Sequence, residues 1–344
     1  MDRPVALGLL AGGAADRVLG DPARWHPVAG FGALAGLVEA RWWRPSRAAG
    51  AGYVLVLVGG AAVAAAVADA GLRRRPLARC AFAAAVTWAA LGGRSLGRVA
   101  AELARAVDAG DLEHARALAP WLVGRDPSGL DGPELCRAAV ESVAENSADA
   151  VVGPLLWGAL AGPAGTAAYR AANTLDAMVG HLDTRHRRFG WAAARLDDVL
   201  TWPAARLGAG LAVVLAPGAG GDRVQAWRVL RRDGAAHPSP NAGRMEAAFA
   251  GALGVRLGGR NRYGGQVEDR PRLGDGRPPD PAAVLRAVRL ASLVGAAATA
   301  LAAALAAGRP AAALAAALGA ARPATALTAI PPAAARRGAR RASR

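Results

Sequence analysis

Arg137, Glu141, Glu145 and Asp149 recur at four-residue intervals within ELCRAAVESVAENSADAVVGP, residues 134–154. On a helix that spacing sets the side chains along one face. Three carboxylates in a row repel one another unless cations lie among them. Arg137 offsets one of them, and a magnesium ion held by Glu141, Glu145 and Asp149 would offset the others. The competing reading is a solvated acidic face. Against it stands the apolar run that opens at Val151, directly after the acids, because carboxylates bordering an apolar span are costly unless they are used.

Four further stretches bring polar groups together. Val123-Gly124-Arg125-Asp126-Pro127 forms a turn that either aims a guanidinium at phosphate or carboxylate or is an ordinary Asp-Pro turn. In Tyr169-Arg170-Ala171-Ala172-Asn173-Thr174-Leu175-Asp176, Asn173 and Asp176 share a helical face, as caps or as ligands. Arg195 precedes the adjacent carboxylates Asp197 and Asp198, which point differently on a helix, so that one of them reaches any given ion. HPSPNAG at 237–243 offers His237, Ser239 and Asn241 on a Pro-stiffened turn. There His237 serves as a general base or as a hydrogen-bonding loop residue. Downstream, the glycines of 251–259 either cradle a phosphate on backbone amides or only loosen a loop.

All 42 basic residues are Arg and none is Lys, which removes any Walker A lysine. Neither a Gly-x-Ser-x-Gly elbow nor a His-Glu-x-x-His motif is present. The formal net charge of +16 invites a nucleic-acid partner. The arginines, however, fall between apolar runs, the pattern of a protein facing anionic lipid, and nucleic acid is set aside. Cys80 and Cys136 make neither a disulfide framework nor a metal quartet and read as packing residues.

The positioning elements follow from hydropathy. Of 344 residues, 53% are hydrophobic and 20% charged, and mean hydropathy is +0.20. Apolar runs occupy Tyr53–Leu72, Leu77–Leu91, Val151–Ala168, Leu207–Gly221, Leu290–Ala307 and Pro310–Ala335, with a short one at Val5–Ala15 that is expected to stay uncleaved. The expected fold is all-α: a multi-pass membrane helical protein with Arg-rich polar loops carrying short helices. A membrane-embedded region spans 1–280, with polar loops at 20–50, 94–149, 169–202 and 222–281. Membrane helices follow over 281–335, and a basic tail over 336–344. If every run crosses once, the Arg-rich stretch Tyr169–Trp202 falls opposite the other polar loops, against the positive-inside tendency. A re-entrant Val151–Ala168 run, broken at Pro154 and Pro163, resolves the conflict.

Taken in order, GDP at 20–22, HPV at 26–28, VGRD at 123–126, ESVAEN at 141–146, YRAANTLDAMVG at 169–180, FGWAAARLDDVL at 189–200, HPSPNAG at 237–243 and AGALGVRLGG at 250–259 resemble the CobD/CbiB family of adenosylcobinamide-phosphate synthases. The likeness runs from about Asp16 to Gly265. It departs at Pro127, where the family pattern leads one to expect Thr. The resemblance implies a cell-membrane enzyme of cobalamin biosynthesis that joins (R)-1-amino-2-propanol or its O-phosphate to a propionate carboxylate of adenosylcobyric acid. ATP with magnesium is the implied activating pair. Other enzymes of the pathway and the lipid bilayer are the implied partners. The same likeness implies catalytic roles for Glu141, Glu145 and His237. It implies substrate-binding roles for Arg125, Asp126, Asn146, Asn173, Asp176, Arg195, Asp197, Asp198, Ser239 and Asn241. A multi-pass small-molecule transporter is the alternative, although no inverted repeat is visible.

Overall fold

The computed structural model describes residues 2–21, 26–124, 126–263 and 266–308. Arg125, Pro22, the last apolar run and the basic tail lie outside the described residues.

Thirteen helices and one hairpin follow in chain order among those residues: α1 (Arg3–Leu19), α2 (Pro27–Trp42), α3 (Arg47–Gly71), α4 (Pro76–Ala90), α5 (Gly93–Asp108), α6 (Leu112–Leu118), α7 (Gly132–Ser147), α8 (Gly153–Val179), α9 (His186–Phe189), α10 (Trp191–Leu215), α11 (Arg223–Asp233), α12 (Ala242–Leu253), β1 (Leu257–Tyr263), β2 (Gln266–Leu273) and α13 (Pro281–Ala306). Their starts obey local chemistry. Asp131 and Glu134 close a capping box on α7, with Pro133 in its first turn. Asp222 caps α11 through the N–H groups of Val224 and Gln225, and Asp280 caps α13 through Ala283.

Four helical stretches are long and apolar enough to cross a membrane: Arg47–Gly71, Gly132–Val179, Trp191–Ala219 and Pro281–Ala306. One face of α3 packs inward through Tyr53, Val54, Leu57 and Val58, while the other faces outward, with Leu55 73% and Val67 66% exposed, as lipid-facing residues are. Arginines stack over tryptophans at several helix ends: Arg185 over Trp43 at 4.8 Å and Arg47 over Trp191 at 5.8 Å, an arrangement suited to the membrane–water boundary. The chain is an all-α membrane protein, as the hydropathy led one to expect. α1 and α4, with 17 and 15 residues, are short for a crossing and pack along each other.

The stretch Gly132–Val179 is not one rod. At Ala161 and Gly162 the backbone leaves helical geometry, with Gly162 at φ 63°, ψ −156°. A straight helix would separate Gly153 from Tyr169 by about 24 Å, yet a Cβ on Gly153 would sit 2.1 Å from Tyr169 Cζ. Thr166 Oγ1 likewise donates to the Pro154 carbonyl at 3.3 Å. α8 is therefore a helical hairpin whose legs meet at Gly162-Pro163. This reversal is the chain path that a re-entrant Val151–Ala168 run requires.

The polar stretch 222–281 departs from the expected loop with short helices. Besides α11 and α12 it holds the antiparallel pair β1–β2, with a register irregularity between Leu257 and Gly259. Neither strand alternates apolar and polar residues, so periodicity gave no sign of it. Its order comes from buried Leu257 and Leu273 and from bonds to α7. Among the described residues two apolar cores form. The larger joins α1, α5, α7, α10, α12 and α13. The smaller joins α3, the second leg of α8 and α10, with Tyr53 and Phe189 ring centroids 5.0 Å apart.

Candidate active site

A cavity of about 930 Å³ opens beside the larger core, whose Ala148 and Met245 line it. Each wall comes from a different element. The end of α7 supplies Glu145. The next turn, Ala148–Val152, is a π-helix that carries Asp149. Single π-turns are frequent at functional positions because the extra residue redirects one side chain. Pro154, with no N–H to continue the ladder, follows directly. The second leg of α8 supplies Asp176. The first turns of α10 supply Arg195, Asp197 and Asp198. The turn before α12 supplies His237, Ser239 and Asn241, and β2 supplies Arg270.

Nine of the expected site residues thus line one space: Glu145, Asp149, Asp176, Arg195, Asp197, Asp198, His237, Ser239 and Asn241. Asn173 stands one bond behind it, its Nδ2 donating to Asp197 Oδ1 at 3.2 Å. It receives a bond in turn from Arg170 Nη1 on Oδ1, also at 3.2 Å. Both Asp197 and Asp198 border the cavity, Asp197 buried and Asp198 half-buried.

Glu141 is not in the lining. A four-residue step advances a helix by about 40° beyond a full turn, so the acid face drifts, and Glu141 points to the hairpin. Its Oε1 accepts the Gly258 N–H at 2.8 Å, and Arg137 Nη1 approaches it at 3.4 Å. Arg137 donates onward to the carbonyls of Gly258 at 2.7 Å and Arg260 at 3.0 Å. This pair fastens β1 to α7. Gly258 therefore spends its amide on Glu141, not on a phosphate. Asn146 also faces elsewhere, donating to the Ser142 carbonyl at 3.0 Å. Asp126 is exposed in its turn, where it accepts the Ser128 N–H.

The three-carboxylate metal set Glu141, Glu145 and Asp149 is accordingly not assembled. Among the described residues no group of three or more His, Cys, Asp or Glu is arranged to hold a metal alone. The donor chemistry nonetheless suits magnesium, which takes one or two carboxylates and completes its shell with water and substrate phosphates. Five carboxylates around one space are a donor set of that kind.

Each nitrogen of the His237 ring faces a donor. Ser239 N–H donates to Nδ1 at 3.0 Å, and Arg270 Nη1 lies 3.3 Å from Nε2. Whichever nitrogen keeps the lone pair already has a donor against it. Ser239 Oγ accepts the N–H groups of Asn241 and Ala242 at 3.3 and 3.2 Å, opening α12. Asn241 Nδ2 donates to the Asp198 carbonyl at 2.9 Å. These residues hold the turn against α10. Upstream, Arg232 beside Asp233 holds that carboxyl below the usual carboxylate range, and the Gly274 N–H adds to the effect, tying α11 to the end of β2.

Arg47, Arg187, Arg270, His181, Trp191 and Thr201 also line the cavity, unremarked in the sequence reading. Arg47 stands just ahead of an apolar run and Trp191 within the motif at 189–200, each a usable signal. Arg270 had none, because its strand lacks periodicity.

A many-helix membrane protein with an acidic, arginine-edged cavity is the class this architecture defines. The CobD/Cbib protein family matches residues 9–291. "Cobalamin biosynthesis protein CobD" of Mycobacterium tuberculosis is 52% identical over 303 residues, 87% of this chain and 95% of the relative. The proteins of that name from Chromobacterium violaceum and Geobacter metallireducens are 42% and 44% identical, covering 83% and 80% of this chain and 90% and 88% of their own lengths. This chain belongs to the CobD/CbiB family of cobalamin biosynthesis. No solved structure matches it.

Proposed function

We propose that the chain is an adenosylcobinamide-phosphate synthase of the cell membrane. It would form an amide, with ATP, between a propionate carboxylate of adenosylcobyric acid and (R)-1-amino-2-propanol or its O-phosphate. The observation that carries this reading is the meeting of Glu145, Asp149, Asp176, Asp197 and Asp198 with Arg195 and Arg270 in one cavity. Joining a carboxylate to an amine needs the carboxylate oxygen turned into a leaving group, with phosphoryl or adenylyl taken from ATP. The ammonium group loses one proton, its nitrogen bonds to the carbonyl carbon, the carbon–oxygen bond to the leaving group breaks, and a second proton leaves the nitrogen.

The chain's residues divide this work. Arg195 and Arg270 neutralise charge that builds on phosphate and carbonyl oxygens. Asp176, held over the cavity by the second leg of α8, and Asp197, oriented by Asn173, receive the ammonium group of the amine. Cavity carboxylates accept the proton it loses before attack and the one it loses after. His237, Ser239 and Asn241 keep the turn closed over the site. Glu145 and Asp149 would hold magnesium, which when bound supplies positive charge between these carboxylates and the phosphates.

Detergent-solubilised protein given adenosylcobyric acid, aminopropanol phosphate, ATP and magnesium should yield a product whose mass equals the two organic substrates less one water. Recovery of both substrates unchanged in every condition rejects the reading.

A further inference from the structure

Beside the carboxylate cavity lies a second space of about 600 Å³, lined by Pro45, Ser46, Arg47, Arg187 and Arg188. Arg47 and Arg187 line both spaces, so the two adjoin. Three guanidiniums crowd here, and among the described residues none of them makes an ion pair. The nearby acids are engaged elsewhere: Glu39 with Arg185 at 2.9 Å and Asp183 with His186 at 2.9 Å. Unneutralised like charges held together mark a place for an anion.

The backbone enforces this crowding. Arg47 opens α3, and the α3 backbone comes so near the turn after α9 that a Cβ on Gly50 would lie 1.7 Å from the Phe189 carbonyl oxygen. Trp191 Nε1 donates to the Arg47 carbonyl at 3.0 Å, fixing the same approach. Ser46 at the α3 N-cap, which makes no side-chain cap bond, lines the same space.

The geometry points to Arg47, Arg187 and Arg188 as a phosphate-oxyanion subsite at the mouth of the carboxylate cavity, taking the phosphate end of a soluble co-substrate whose reacting end lies inside. This inference rests on the ligase reading and deepens it. Guanidinium forks suit phosphate oxygens. The adjoining cavity places the reacting end among acids that repel the phosphate, which fixes the direction in which the substrate enters.

The test uses the full chain in detergent and inorganic tripolyphosphate as the probe, followed by titration calorimetry. Binding to the unmodified protein should be saturable and weaken with added salt. The triple variant Arg47→Gln, Arg187→Gln, Arg188→Gln should bind about tenfold or more weakly, and the corresponding triple Lys variant should recover much of the loss. Arg185→Gln, which removes an arginine already paired with Glu39, should leave the affinity unchanged. Elution as a single species in size-exclusion chromatography certifies the fold of each variant. Unchanged tripolyphosphate affinity in the triple Gln variant overturns the assignment. So does a loss confined to phosphatidylglycerol retained in native mass spectrometry, which would make the anion a lipid headgroup. Tripolyphosphate binding without amide formation fails the ligase reading alone. Amide formation by the triple variant with unchanged KM for aminopropanol phosphate fails this inference alone.

Discussion

At the scale of single residues, the acids of α7 separate into two kinds of work. Glu145 opens into the cavity, whereas Glu141 is bonded to the Gly258 N–H and to Arg137. Glu145→Gln should therefore lower product formation by roughly a hundredfold or more while membrane insertion stays normal. Glu141→Gln should act through the hairpin, with a smaller loss of rate and a lower melting temperature. Equal kinetic losses for the two variants, read by product mass against time, would contradict this division. His237 belongs with the struts. His237→Asn, which keeps a polar group in the turn, should reduce the rate without shifting its pH profile. Disappearance of an activity limb near neutral pH in that variant would assign the ring a proton-transfer role.

At the scale of elements, the α8 hairpin places Asp176 and Asn173 back beside the acids of α7. Its turn needs Gly162 at positive φ with extended ψ, a conformation that costs other residues about 1–3 kcal/mol. Its legs need the bare Cα of Gly153 against the Tyr169 ring. Gly162→Ala and Gly153→Ala should each lower the melting temperature in detergent; an unchanged melt for both would mean that the legs do not meet. The tie between α11 and β2 depends on pH. The Asp233 pKa is depressed in the folded chain by Arg232, so its contribution is present above the unfolded value, about 4. It is lost as pH falls through the folded value. The unmodified protein should melt above Asp233→Asn near neutral pH, and the two curves should converge below about pH 4.

For the molecule as a whole, the cavity makes a prediction about sidedness. Leu182 and His237 line the same space, so the loops at 180–191 and 234–241 are expected to open to one side of the membrane. In a chain with Cys80 and Cys136 replaced by Ala, single cysteines at Leu182 and Ala236, both exposed positions, should react with a membrane-impermeant thiol reagent from the same face. Labelling from opposite faces would break the cavity apart, and with it the ligase proposal. Agreement would also explain why Tyr169–Trp202 carries so many arginines: the reversal of α8 returns that stretch to the basic side.

The apolar runs and the acid spacing along 137–149 were legible in the sequence. Both depend on residues close together in the chain, where hydropathy and period act directly. The membership of the cavity was legible in large part for a different reason: the family motifs carried it residue by residue. What only the tertiary structure decided is which way each of those side chains faces. The departure of Glu141 to the hairpin, the existence of that hairpin, the meeting of Gly153 with Tyr169 and the crowding of Arg47 with Arg187 all join residues distant in sequence. Nothing local encodes such contacts. They arise where a glycine lets two backbones approach, or where a buried amide must find an acceptor, and those demands exist only once the helices have packed.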